Sequence, residues 1–178
     1  MEYNLPSELV KDLSFGDEAK AKVITGINKL AQAVKSTLGA SGKCVIYEDG
    51  TGKPVITKDG VTVAESVVLY DPVENMGATL IKEAARNTVK EAGDGTTTAT
   101  VLAEALIKQI DAAVADGLTI REIKDGVNET LESVISYLDN KAIDVDGDML
   151  KSVSSISCNN DEELGDIISE AYEQVGKD

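Results

Sequence analysis

No histidine and no tryptophan occur in the 178 residues, and the aromatics amount to five Tyr and one Phe. Without histidine there is no imidazole base near neutral pH, no Ser-His pair and no His–metal site. With so few rings the core must be aliphatic. Cysteine is scarce too. Cys44 and Cys158 form neither a disulfide framework nor a CxxC zinc site, as expected in a reducing compartment. Each reads as a small buried apolar residue. No apolar run approaches the ~20 residues that cross a bilayer. Met1 to Pro6 carry an acid and a proline where a secretory signal would be apolar. The expectation is a cytoplasmic protein. Positive charge is also short: 17 Lys+Arg face 32 Asp+Glu, for a net charge of −15. That argues against nucleic acid or membrane as a partner, since both call for a basic face.

What is present suffices for a core, with 42% hydrophobic and 28% charged residues. The length suits one domain or one and a fraction. Residues 1–59 hold 8 acids and 8 bases, whereas residues 139–178 hold 11 acids and 3 bases. A domain boundary is therefore expected near Asn140, giving segments 1–139 and 140–178. No Pro/Ser/Gly-rich linker marks it.

Helical periodicity dominates. Val23, Ile27, Leu30, Val34 and Leu38 lie on one helix face that starts near Asp17 and is closed by Gly39. A β-branched texture follows. Cys44-Val45-Ile46-Tyr47, Val55-Ile56-Thr57 and Val61-Thr62-Val63 read as short strands, with Asp59-Gly60 as a tight reversal, in a β arm from Lys43 to about Val68. Four more helices are expected. They span Val73 to Glu91, Thr96 to Ala115, a stretch opened by the capping box Thr119-Ile120-Arg121-Glu122, and a last one from near Asn160 after an irregular acidic stretch. The helix from Thr96 is apolar on most faces and is expected to be central and buried. The fold class is mainly α, in multihelical layers with a small β hairpin.

The segment with chemical content is Gly93-Asp94-Gly95-Thr96-Thr97-Thr98. Its glycines let the backbone approach a ligand. The N–H groups from Gly95 to Thr98 open a helix, where they lack intrahelical partners and feel the positive end of the dipole. Three successive threonines are poor helix formers. Asp94 stands where a carboxylate could hold Mg²⁺ bridging phosphate oxygens. An ordinary N-cap is the plainer alternative. Thr37-Leu38-Gly39-Ala40 and Thr57-Lys58-Asp59-Gly60 could face the same pocket; taken singly, they read as a C-cap and a turn. Neither Gly42-Lys43 nor Gly52-Lys53 completes a Walker A loop, because Thr37 and Tyr47 stand where the first glycine is needed.

Together these pieces resemble the group I chaperonins, the GroEL-like family. The resemblance rests on Thr37-Leu38-Gly39, Ile56-Thr57-Lys58-Asp59-Gly60-Val61, Glu74-Asn75-Met76-Gly77-Ala78, Gly93 to Leu102 and Ile156-Ser157, in order and at the family's spacing over about residues 14 to 178. It implies an ATP-dependent chaperone with an ATP pocket lined by Thr37, Leu38, Gly39, Ala40, Lys58, Asp94, Gly95, Thr96, Thr97 and Thr98. Asp94 would ligate Mg²⁺, and Asp59 would be a second, catalytic acid near the phosphates. Residues 1–139 would be the N-terminal half of the equatorial domain, with a stem-loop at 43–59, and residues 140–178 the ascending part of the intermediate domain. The implied partners are unfolded polypeptides, further copies in a ring, and a lid-like co-chaperonin. The family usually has proline where Ala40 stands, which would loosen that loop by about 0.4–1 kcal/mol. The chain stops where the apical domain would begin, so it is expected to be a fragment or a truncated product, with little hydrolysis of its own. A different class of reading is a non-catalytic helical interaction module that uses its acidic C-terminal face.

Overall fold

The computed structural model describes residues 13–39, 41–145, 147–158 and 160–176. In chain order they form α1 (Gly16–Lys35), β1 (Val45–Glu48), β2 (Pro54–Thr57), α2 (Gly60–Ser66), α3 (Pro72–Ala92), α4 (Thr96–Ala115), α5 (Ile120–Lys141), α6 (Gly147–Ser157) and α7 (Glu162–Val175). The mainly helical class with one antiparallel hairpin is as expected. Two compact units divide inside α5, Met1–Ile123 and Lys124–Asp178. The change in charge density near Asn140 falls at the end of that same helix.

In the first unit α1 and α3 cross with their backbones in contact. A Cβ on Gly26 would overlap the Glu74 carbonyl, and one on Gly77 would overlap that of Val23. Leu30, Val34, Val63, Ala78 and Ile81 fill the space around this crossing and are essentially inaccessible. Each large aliphatic buried there contributes about 1.5–3 kcal/mol. Asp71 caps α3 by accepting from the N–H groups of Val73 and Glu74, Pro72 fits its first position, and Gly93 ends it at φ 76°. In the hairpin, Val45 pairs with Thr57 and Glu48 with Pro54. Asp49 pins the tip by accepting from the Thr51 and Lys53 N–H groups.

Three expectations are corrected in this unit. Val61-Thr62-Val63 is helical, inside α2, and not a third strand. The Asp59 carboxylate accepts from the N–H groups of Val61 and Thr62, so the Asp-Gly pair opens a helix where a hairpin turn was expected. α1 ends at Lys35, short of Leu38. The Ser36 and Thr37 hydroxyls donate to the Ala33 and Val34 carbonyls, and the Lys43 N–H folds back onto the Ser36 carbonyl. α4 is not buried all round. Its buried residues are Thr96, Thr100 and Glu104, while Leu102 is 64% exposed. Ala103 and Ile107 pack on the core from one side, while Leu102 and Leu106 stay exposed.

α5 opens with the expected box: Thr119 N–H donates to Glu122 Oε2 at 2.9 Å, and Glu122 N–H to Thr119 Oγ1 at 3.3 Å. None of its residues is buried. In the second unit the stretch expected to be irregular contains α6, whose Met149, Val153 and Ile156 stand at helical spacing. The run of acids before it hid the pattern. α6 and α7 pack where Gly165 faces Ser155: a Cβ on Gly165 would stand 2.7 Å from the Ser155 Cα. Lys151 pairs with Asp166 at 2.6 Å beside that contact. Neither cysteine is buried as expected: Cys158, just past α6, is half-buried, and Cys44, just before β1, is exposed.

Candidate functional site: an uncapped helix start between two loops

α3 and α4 are joined by Gly93-Asp94-Gly95, and both glycines take the left-handed conformation, at φ 76° and 91°. A side chain would be strained at either position. Asp94 is left exposed between them, its Oδ1 accepting from the Gly95 N–H at 2.6 Å. No side chain caps α4. Among the described residues, the N–H groups of Thr96, Thr97 and Thr98 have no hydrogen-bond partner, and the buried Thr96 hydroxyl has none either. The ordinary-cap alternative is thus absent from the geometry. Three amides at the positive end of a helix dipole are left open, with no hydrogen-bond partner among the described residues.

That point lies against the other two segments singled out in the sequence. A Cβ on Gly60 would overlap Thr97 Oγ1 and stand 3.3 Å from Thr37 Oγ1. The start of α2, the start of α4 and the loop after α1 therefore meet, and only glycine fits where they do. In that loop Gly39 adopts φ 74°, and its carbonyl accepts from the Gly42 N–H at 2.9 Å. Leu38 is exposed there. Ala40 lies outside the described residues.

Lys58 and Asp59 join β2 to α2. Lys58 is exposed and forms no ion pair among the described residues. Burial disfavours the ionised form of Asp59, but the Thr62 hydroxyl and the Thr62 and Val61 N–H groups outweigh it and hold the carboxyl below its ordinary range. These bonds occupy three of roughly four lone-pair sites, so one stays free for a ligand. Among the described residues no three carboxylates or thiols cluster as a metal cage. A single exposed carboxylate beside open amides suits Mg²⁺, which keeps its waters and takes remaining ligands from phosphate.

Sequence reasoning missed what holds α2 in place. Arg86 Nε donates to Glu65 Oε1 at 2.7 Å, its Nη2 pairs with Oε2, and Lys82 Nζ donates to the Val67 carbonyl at 2.6 Å. The Arg86 hydrogen bond lowers the Glu65 carboxyl's pKa, and burial lowers that of Lys82. Once 60–66 is read as a helix, its last turn becomes the natural target for cations at helical spacing on α3.

Residues 30–178 match the model of a family described as the TCP-1/cpn60 chaperonin family. Among solved structures the chain is similar to the chaperonin gp146 from the bacteriophage EL 2 (Pseudomonas aeruginosa) in the presence of ATP-BeFx. In one crystal form the identity is 32% over 90% of this chain and 28% of that one, with a TM-score of 0.78. In another the identity is 33%, over 88% and 28%, with a TM-score of 0.76. A group III chaperonin in the open state is 28% identical over 89% of this chain and 32% of that one, also at a TM-score of 0.76. The chain spans about three-tenths of the length of these proteins.

Proposed function

The chain belongs to the TCP-1/cpn60 chaperonin family, and from that premise we propose that its first unit is the phosphate-binding half of an ATP site that drives a protein-folding machine. The reading is carried by the uncapped start of α4 set against Gly60 and Thr37. The open amides of Thr96 to Thr98 and the Thr97 and Thr98 hydroxyls hold the phosphate oxygens, with Gly95 giving the backbone its close approach. The Thr37-Leu38-Gly39 loop lines the nucleotide pocket, and Lys58 adds a cation. Asp94 would hold Mg²⁺, which neutralises phosphate charge when bound. Asp59, fixed by its capping bonds, is the second acid, aimed through its free lone pair. The similar chaperonin crystallised with ATP-BeFx supports the choice of nucleotide. In the whole protein the partners are unfolded polypeptides, further copies of the chain in a ring and a lid-like co-chaperonin, with residues 1–139 in the equatorial domain and 140–178 in the intermediate one.

Titration of the 178-residue chain with a non-hydrolysable Mg-ATP analogue tests this. Saturable binding is expected, weakened about tenfold or more in Asp94→Ala when Mg²⁺ is present and far less in its absence. A wild-type chain that ignores the analogue would reject the site. It would favour the acidic interaction module, for which the outward Ile156, Ile167 and Val175 of the second unit are the supporting observation.

A further inference from the structure

We propose that Glu104, outside every phosphate-binding loop, is a positioning residue for the nucleotide site: its carboxylate pins the end of α1, and with it the Thr37–Gly39 loop, to α4. The inference rests on the ATP reading above and adds to it a group that never touches the nucleotide.

Glu104 is 3% exposed. It shares one face of α4 with Thr96 and Thr100, about 12 Å along the axis from Thr96. Its Oε1 accepts from Lys108 Nζ at 2.6 Å, and its Oε2 faces Lys35 Nζ at 3.6 Å. The two lysine side chains are 48% and 54% exposed, so their ammonium ends reach water while the carboxylate does not. Ala103 and Ile107, its neighbours along α4, pack on the aliphatic core. An apolar residue at 104 would serve that packing at least as well. Burying a charge is a poor route to stability, and its best-attested use is to fix one register over others.

Here the register matters. Lys35 is the last residue of α1, two before Thr37, and Thr37 and Thr97 both close on Gly60. α4 therefore meets the nucleotide loops twice: through Thr97 in its first turn, and two turns later through Glu104 and Lys35. The second attachment sets how far the Thr37 loop stands from the open amides. Lys108 lies on α4 itself and can neutralise Glu104 but cannot reach α1's loop through the chain, which separates the two lysines experimentally.

The test uses Glu104→Met, Lys35→Met and Lys108→Met in the 178-residue chain, with three readouts: thermal melting, amide exchange without nucleotide, and affinity for the non-hydrolysable Mg-ATP analogue. Glu104→Met is expected to melt no lower than wild type, to exchange the Thr37 and Leu38 amides about tenfold faster, and to bind the analogue about fivefold more weakly. Lys35→Met should reproduce both changes and Lys108→Met neither. Unchanged exchange at Thr37 and Leu38 in Glu104→Met, or equal effects from the two lysine variants, overturns the assignment. If Glu104→Met fails to fold, Glu104→Gln carries the same comparison with the shape retained. If wild type itself ignores the analogue, the ATP reading fails, and the exchange measurement still decides the role of Glu104.

Discussion

Leu30, Val34, Val63 and Ile81 are shut away from water in the first unit, whereas among the described residues of the second those buried are Ser154, Gly165 and Ser169. Several aliphatic side chains of the second unit are exposed, with Ile156 at 69%, Ile167 at 59% and Val175 at 80%, and others such as Leu150 and Ile168 are only half-buried. One unit is held by the hydrophobic effect on interlocked aliphatics. In the other, α6 and α7 are brought close by small residues, with backbone packing at Gly165 and the Lys151–Asp166 ion pair beside it. Charge widens the contrast, since residues 124–178 carry 14 acids and 4 bases and repel one another. The site chemistry lies in the unit that can hold an open helix start rigidly. Uncapped amides cost stability, and only a well-packed core can offset that cost without rearranging to satisfy them.

The largest expected effect comes from filling the glycine contact in each unit. Gly77→Leu forces a side chain into the Val23 carbonyl and should cost the first unit about 3 kcal/mol or more. Gly165→Leu drives into the Ser155 backbone and should cost the second unit about 2 kcal/mol, less because there is little core to lose. Amide exchange resolved by segment reads both. Gly77→Leu is expected to strip protection from α1 to α4 and leave that of α6 and α7. Simultaneous loss in both units would dissolve the contrast, because it would mean they fold as one.

Legibility in the sequence follows the same division. Where apolar spacing and punctuation agree, as in α3 between Asp71-Pro72 and Gly93, or α5 behind Thr119 and Glu122, the helices lie where expected. The uncapped start of α4 was legible as a candidate site because Gly93-Asp94-Gly95 followed by three threonines violates local propensity, and such violations point to sites. α2 was not legible. Val61-Thr62-Val63 has strand propensity, and what overrides it is tertiary: Asp59 capping at one end, Lys82 and Arg86 latching the other, and Val63 buried in the core. The convergence of Gly60, Thr37 and Thr97 is equally long-range, and no local pattern announces it. The outward faces of α4 were misread for the opposite reason. An all-apolar helix predicts burial, but only when something within the chain is there to cover it.

Acid sharpens the comparison at an intermediate level. In the first unit the Arg86 hydrogen bond holds Glu65 below its ordinary 4.5. The Lys22 hydrogen bond does the same for Asp71 against 3.8, and Asp59 is lowered by its capping bonds in spite of burial. A carboxyl whose folded pKa is depressed contributes stability that is present above its unfolded value and fades as the pH falls through the folded one. Stability from these three should therefore be intact at pH 6 and drain away below about pH 4. Segment-resolved exchange from pH 6 to pH 3 is expected to show α2 and the start of α3 losing protection before α6 and α7 do. The reverse order would mean that charge crowding, not specific pairing, sets the acid response.

The smallest effect uses the same cap in both units. Asp161 opens α7 by accepting from a single N–H, that of Leu164 at 3.0 Å. Asp71 opens α3 with two N–H groups, a proline at the first helical position and an ion pair to Lys22 at 3.0 Å. Asp161→Ala removes one exposed capping bond and a favourable charge at a helix start, for about 1 kcal/mol. Asp71→Ala removes these together with a link from α3 to α1, so it should perturb two helices where Asp161→Ala perturbs one. Urea unfolding followed by exchange at Val73–Asn75 and at Leu164–Asp166 measures both. If the two substitutions cost the same and stay confined to their own first turns, then the Lys22 pair is a surface contact of no consequence. The first unit's advantage would then rest on its aliphatic core alone.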